Sequence, residues 1–205
     1  GDRNRILNSD PVLWAFAGDV RGLAVLDAGC GTGYLSRKLR DRGAQVTGID
    51  FSERMIAIAR SRYPEIEFRI DSCSELTTLA DEQFDLLVSN YVLMDTTDLQ
   101  ASVAAFHRVL KPGGVAVLVF SHPCFPQDWA TMSEDGAVSY RWPFSYFEAM
   151  KCTGPPWAHF KSDFIWFQRS LSDYWKAFTK AGFIVADLEE PRITEDRYHL
   201  EKSEA

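Results

Sequence analysis

The stretch AVLDAGCGTGYL, Ala24 to Leu35, decides the fold. A short apolar run ends at Asp27 and Ala28. Three glycines follow at positions 29, 31 and 33, and a helical pattern starts at Tyr34. Strand, tight glycine turn and helix in that order open a βαβ unit, and backbone this bare lets a ligand come close. The spacing does not favour a dinucleotide. Its fingerprint, G-x-G-x-x-G, puts the third glycine at position 34, where Tyr34 stands.

Outward from this unit the chain alternates apolar runs with helical stretches. AQVTGID, IEFRID, FDLLVSN and VAVLVFS read as further strands, and FIVADLEEP as a sixth. GYLSRKLRDRG, SERMIAIARSRY, DLQASVAAFHRVL and LSDYWKAFTKAG read as the helices between them. Ser52 is placed as an N-cap, and Gly43, Pro64 and Gly182 as stops. Runs such as AVLVF are apolar on both faces, as buried parallel strands are. The pattern predicts an α/β fold: a doubly wound, Rossmann-like, mostly parallel sheet with helices on both faces. In such a sheet ligands bind beyond the carboxyl ends of the strands.

Totals narrow the function. The 205 residues fit one domain, residues 1–205, with a composition that is 46% hydrophobic and 25% charged. The formal net charge of −7, with no basic run, argues against binding a nucleic-acid backbone. The four cysteines, Cys30, Cys73, Cys124 and Cys152, show no C-x-x-C spacing, so no metal site is expected. No run is long enough to cross a bilayer and no signal peptide is visible, so the expected setting is the cytoplasm, with free thiols.

The acids at the strand ends say more than the glycines. Asp27, at the tip of the first strand, would repel a pyrophosphate but suits an ammonium group. Asp50 ends the second strand, where a carboxylate can accept from two ribose hydroxyls. Asp71 ends the third, where it can accept from an exocyclic amine. Together they describe a cationic, adenosine-like ligand without phosphates.

VLDAGCGTGYLSRKL, VTGIDFSERMIAIAR, FDLLVSNYVLMDTTD and RVLKPGGVAVLVF together resemble the class I S-adenosylmethionine-dependent methyltransferases, in their small-molecule branch. The resemblance covers Val25 to Phe120, and more loosely the segment from Arg169 to Pro191. It implies S-adenosylmethionine as cofactor and a small-molecule methyl acceptor as partner. It places Asp27, Gly29, Cys30, Gly31 and Gly33 around the methionine part and Asp50 on the ribose. Phe51 and Met55, beside Ser52, would pack on the adenine, with Asp71 on its amine and Ser72 offering a backbone N–H. Asn90 and Tyr91 would line the channel under the sulfonium. The family's sheet closes with an antiparallel seventh strand. The polar tail RITEDRYHLEKSEA offers none, so six strands are expected and the end of the chain reads as truncated.

Two segments complete the reading. Residues 121–169 form a long insertion rich in proline and aromatics, expected to act as a lid over the acceptor. Its aromatics include Trp129, Trp142, Trp157, Phe160, Trp166 and Phe167. His122, directly after the fifth strand, is the candidate base. NRILNSDPVLWAF is expected to fold over the cofactor, anchored by Trp14 and Phe16. Two other readings stand beside methyl transfer: an NAD-dependent oxidoreductase on a related sheet, and a non-catalytic binding subunit of the same fold.

Overall fold

Five parallel strands carry the molecule: β1 (Ala24–Ala28), β2 (Gln45–Asp50), β3 (Glu67–Ile70), β4 (Phe84–Asn90) and β5 (Leu110–Val119). Their order across the sheet is β3-β2-β1-β4-β5. The computed structural model describes residues 5–124, 130–141, 144–156 and 163–191. Val25 on β1 is in register with Val46 on β2 and with Leu86 on β4. The chain therefore winds one way from β1 to β3 and then returns to the other side of β1. The switch point lies between β1 and β4, and a crevice opens there beyond the strand ends.

Alternation along the strands supplies both faces. Val25, Val46, Leu86 and Val88 meet Leu13, Leu39 and Ile56 from α1 (Asp10–Ala17), α2 (Tyr34–Asp41) and α3 (Glu53–Arg62). Leu26, Ile49 and Leu87 meet Val103, Phe106 and Tyr174 from α4 (Leu99–Val109) and α5 (Leu171–Ala181). Neighbouring strand residues point to opposite faces, so one apolar run fills two cores. The helices begin where their caps allow. Ser52 accepts from the Met55 amide, Asp98 from that of Ala101, and Ser170 forms a capping box with Asp173. No helix among the described residues is long and apolar enough to cross a membrane.

The doubly wound class is as expected; the strand count is not. Phe183–Pro191 forms no ladder, so the expected sixth strand is absent. The residues from Phe183 to Pro191 and the outer edge of β5 line opposite sides of a cavity of about 1390 Å³. Alternating apolar residues make a strand only when a neighbour takes up their backbone groups, and here the neighbour lies across the gap. The tail expected to hold no seventh strand lies outside the described residues.

The insertion is more regular than its sequence suggests. It holds two antiparallel ribbons, β6 (Ala130–Met132) with β7 (Val138–Tyr140), and β8 (Met150–Gly154) with β9 (Phe164–Gln168). The first stands out in solvent, with Met132, Val138 and Tyr140 exposed. The second is docked: Cys152 and Gln168 are buried, and the Phe167 amide donates to the Met94 carbonyl at 2.8 Å. Trp129, Trp142, Trp157 and Phe160 lie outside the described residues.

Arg169, just past β9, completes that joint. Its buried guanidinium donates to the carbonyls of Leu93, Thr96 and Thr97 in the loop after β4 and lies over the Phe167 ring. A planar five-donor fork can serve three carbonyls spread along a loop, whereas the three donors of an ammonium radiate from one atom and do not match that fixed spread. Arg169→Ala is expected to lower the unfolding free energy by about 2–4 kcal/mol in urea titrations, because buried carbonyls lose a charged donor. Arg169→Lys should recover less than half of that loss. A wild-type denaturation midpoint for Arg169→Ala would show that the clamp holds nothing.

Candidate active site

The glycine loop hangs from the end of β2. The amides of Gly29 and Cys30 donate to the Ile49 carbonyl at 2.9 and 2.8 Å, and the Gly31 amide donates to Asp50 Oδ2 at 2.9 Å. Asp50 Oδ1 accepts from the Ser52 amide, also at 2.9 Å. One carboxylate thus fixes both the loop and the start of α3. Each oxygen keeps a lone pair that a hydroxyl could fill. Gly29 has φ +80°, and a Cβ there would stand 2.3 Å from Val92 Cγ2, so only glycine lets the loop after β4 come this close. At Gly31 the same atom would meet open space. The open face of the loop is therefore at Gly31, the position expected beside the ligand.

The three acids do different work. Asp27 is 1% exposed, and its hydrogen bonds come from Ser36, whose Oγ donates at 2.5 Å. No cation pairs with it among the described residues. Burial, helped by the charge of Asp50, pushes its carboxyl up to about 6 against the hydrogen bonds from the Ser36 hydroxyl and amide. A buried acid in this state gains from any cation bound nearby. Its burial makes that influence one of field, or of a bridging water, rather than direct contact.

Asp71 departs from expectation. It accepts from the amides of Ser72, Thr77 and Thr78 and from Thr78 Oγ, at 2.8, 3.3, 2.7 and 2.6 Å. Burial works to raise its proton affinity, and these hydrogen bonds outweigh it, holding the carboxyl below its ordinary value. Four donors fill the four acceptor positions of a carboxylate, so Asp71 staples its own loop and is not open to an adenine amine. Thr77 and Thr78 fold back onto it, which strand-end spacing does not reveal. Ser72 is held next to it, with its Oγ on Ser74.

The remaining residues lie around the same edge of the sheet. Phe51 is 81% exposed beside Asp50, with its ring free to cover a flat group. Met55 is half-buried one turn into α3, its amide bonded to Ser52 Oγ. Asn90 ends β4 with its Oδ1 buried and without a partner among the described residues, an acceptor that a ligand can satisfy. Tyr91 follows with φ +58°, and its amide donates to the Val119 carbonyl. Such backbone strain in a non-glycine residue concentrates at functional turns. Gly33 caps α2, and the Cys30 thiol is buried and pushed far up by burial and the nearby acids, so it is no nucleophile.

His122 does not serve as expected. Its Nδ1 accepts from the Cys124 amide at 3.1 Å, and its Nε2 lies 2.9 Å from Glu190 Oε1. Nε2 therefore donates to the carboxylate, and no ring nitrogen has an open lone pair. His122 ties the end of β5 to the C-terminal segment. The N-terminal helix differs as well. α1 packs on the sheet face rather than across the ligand edge. Trp14 lies under the Arg42 guanidinium, and Phe16 faces the cavity along β5. Its anchor is Asp10, 4% exposed, which accepts from Tyr34 Oη at 3.0 Å and Lys38 Nζ at 2.8 Å. Tyr34 and Lys38 share a helix face four residues apart, a visible signal, but their partner lies far away in sequence.

The residues present fit S-adenosylmethionine. The buried, unpaired Asp27 suits its cationic end, the open Gly31 a closely approaching chain, the Asp50 lone pairs a ribose, and the exposed Phe51 an adenine. Comparison with known proteins agrees. Residues 26–118 match the model of a methyltransferase domain. A malonyl-[acyl-carrier protein] O-methyltransferase from Pseudescherichia vulneris is 41% identical over 106 residues, covering 52% of this chain and 42% of its own length. The chain thus spans about two-fifths of several of the curated relatives it matches. A crystal structure of an S-adenosylmethionine-dependent methyltransferase from Mesorhizobium loti superposes with a TM-score of 0.76 at 27% identity, covering 93% of this chain and 87% of that one. A demethylmenaquinone methyltransferase from Lactococcus lactis is 32% identical over 189 residues, 84% of this chain and 70% of that protein. This chain belongs to the class I S-adenosylmethionine-dependent methyltransferases.

Proposed function

We propose that this protein transfers a methyl group from S-adenosylmethionine to a small-molecule acceptor, at the carboxyl edge of its sheet, in the cytoplasm. The observation that carries the reading is Asp27: a carboxylate buried without a cation, behind a glycine loop whose open side is held by Asp50. When bound, S-adenosylmethionine supplies a methyl group on a positively charged sulfur that leaves as a neutral thioether. The donor is already activated, so the task of the chain is to hold, align and exclude water. Asp50 orients the ribose, Phe51 and Met55 cover the adenine, and Asn90 and Tyr91 shape the wall beneath the methyl. The β8–β9 ribbon, fastened to the loop after β4, covers the acceptor and keeps water out. Relatives named demethylmenaquinone methyltransferase and malonyl-[acyl-carrier protein] O-methyltransferase support methyl transfer as the reaction class. The net charge of −7 gives no attraction to nucleic acid. An NAD-dependent reading has no place for Asp27, whose charge would repel a pyrophosphate, and the comparisons give it no support.

Calorimetry separates the cofactors. S-adenosylhomocysteine is expected to bind one per chain while NAD gives no binding heat. Asp50→Ala should weaken that binding by roughly 10- to 100-fold, as loss of hydrogen bonds to a charged group does. Binding of NAD in place of S-adenosylhomocysteine would remove the methyltransferase reading.

Asp27 sets a pH dependence with a definite sign. Its carboxyl, raised to about 6, must be ionised to favour the ligand's ammonium. Affinity for S-adenosylhomocysteine is therefore full above pH 7 and falls as pH drops through 6, by about tenfold at one unit below. Asp27→Asn should bind weakly and show no such slope between pH 7.5 and 5. An identical slope in the variant would assign the effect to another group.

A further inference from the structure

We propose that the cavity beside β5 is a slot for one added β-strand, supplied by an extended peptide segment of a partner protein. The cavity, of about 1390 Å³, lies between the outer edge of β5 and the residues from Phe183 to Pro191. Its two sides run in the same direction and are tied at both ends. By the start of β5 the rings of His107 and Phe183 meet edge-on at 5.1 Å. By its end, His122 Nε2 lies 2.9 Å from Glu190 Oε1. Two such side chains end to end reach about 10 Å, which is two strand spacings, so the gap admits one strand and not two.

The backbone of β5 asks for that strand. The Val119 carbonyl accepts from the Tyr91 amide on the β4 side. Backbone groups alternate in direction along a strand, so those of Val115, Val117 and Val119 face β4, and those of Ala116 and Leu118 face the cavity. β5 is the last strand of its sheet, and among the described residues no ladder takes these groups up. Edge strands that stay exposed carry a charge, a proline or a bulge that blocks pairing. Val115 to Phe120, VAVLVF, has no charge and no proline, and its register with β4 is regular. Its side chains enter both cores, Val117 in one and Leu118 in the other. It is built as an interior strand. Across the gap, Phe183 and Val185 are half-buried while Ile184 is 91% exposed, the alternation of a strand that also lacks a ladder.

The occupant follows from these needs. An apolar ligand cannot take up the backbone donors and acceptors of β5. The edge of a folded sheet brings a second strand behind the first, for which the gap has no width. A single extended segment meets both conditions. The residues after Pro191, RITEDRYHLEKSEA, are charged at half their positions and lack an apolar alternation, so the segment is assigned to another chain. Charge sets its direction. By the end of β5 the cavity carries Asp187, Glu189 and Glu190 against His122, whereas by the start Arg108 and Lys111 are paired with Asp81 and Asp85. The excess of negative charge fits a basic residue on the segment. Antiparallel pairing, the more stable kind, puts the first residues of the segment there. The partner segment is thus an apolar strand without proline, matching Val115 to Phe120 in length and preceded by Arg or Lys.

The test uses the full chain and the synthetic peptide acetyl-RRTVIVFTE-amide. Calorimetry should show one peptide bound per chain. Amide exchange followed by NMR should slow at Ala116 and Leu118 by about tenfold or more, with β1 and β2 unchanged. A proline at the centre, in acetyl-RRTVPVFTE-amide, should remove binding, because it takes away a ladder donor. Reversed charges, in acetyl-EETVIVFTR-amide, should weaken binding about threefold at low salt. No binding at about 1 mM peptide, equal binding of the proline peptide, or protection that misses Ala116 and Leu118 overturns the proposal. Tighter binding of the charge-reversed peptide overturns the antiparallel placement. Slow exchange of those two amides in the chain alone also overturns it: in a monomer by sedimentation the same chain fills the slot, and in a dimer a second copy does.

Discussion

The hydrogen bond from the Gly31 amide to Asp50 Oδ2 is the constraint on which the site depends. Glycine is free to take left-handed backbone, and that freedom alone leaves the loop unfixed. Here two loop amides are held by the Ile49 carbonyl and a third by Asp50, so three successive donors are fixed to the end of the neighbouring strand. The register of β1 against β2 then sets the position of the loop, and through Val92 against Gly29 it limits where the loop after β4 can lie. This edge of the sheet is therefore built outward from one carboxylate, which keeps a lone pair open on each oxygen.

Acids at three successive strand ends share a residue type and little else. Asp71 is satisfied by its own loop, whose hydrogen bonds hold its carboxyl below the ordinary value. Asp27 is the reverse: its folded-state proton affinity exceeds its free value, so the folded chain holds the extra proton. Stability then falls as pH rises from about 4 to 6 and stays lower above that range. A charge that opposes folding at neutral pH persists only where something else gains from it, and a bound cation is the natural beneficiary.

Much of this was legible in the chain. Strand-end acids, glycine turns and caps such as Ser52 are local signals, and each is found at the place its local chemistry dictates. What failed was non-local. FIVADLEEP has the alternation of a strand, but a strand also needs a neighbour, and the edge of β5 lies across a cavity from it. His122 follows β5 as read, yet its availability is decided by Glu190, sixty-eight residues on by simple difference of position. Asp71 looked free because Thr77 and Thr78 return to it only through the turn between them. The insertion looked irregular because short ribbons such as β6–β7 carry little periodicity.

The joint between β9 and the loop after β4 couples the β8–β9 ribbon to the glycine turn. Arg169 lies just beyond the ribbon, and its guanidinium grips a loop whose other end presses on Gly29. Any displacement of the β8–β9 ribbon must therefore either release three buried carbonyls or carry the loop with it. Releasing them leaves polar groups unsatisfied, at about 1–3 kcal/mol each. Moving the loop disturbs the contact that only a glycine permits. The cheaper course is for ribbon, loop and glycine turn to keep one arrangement.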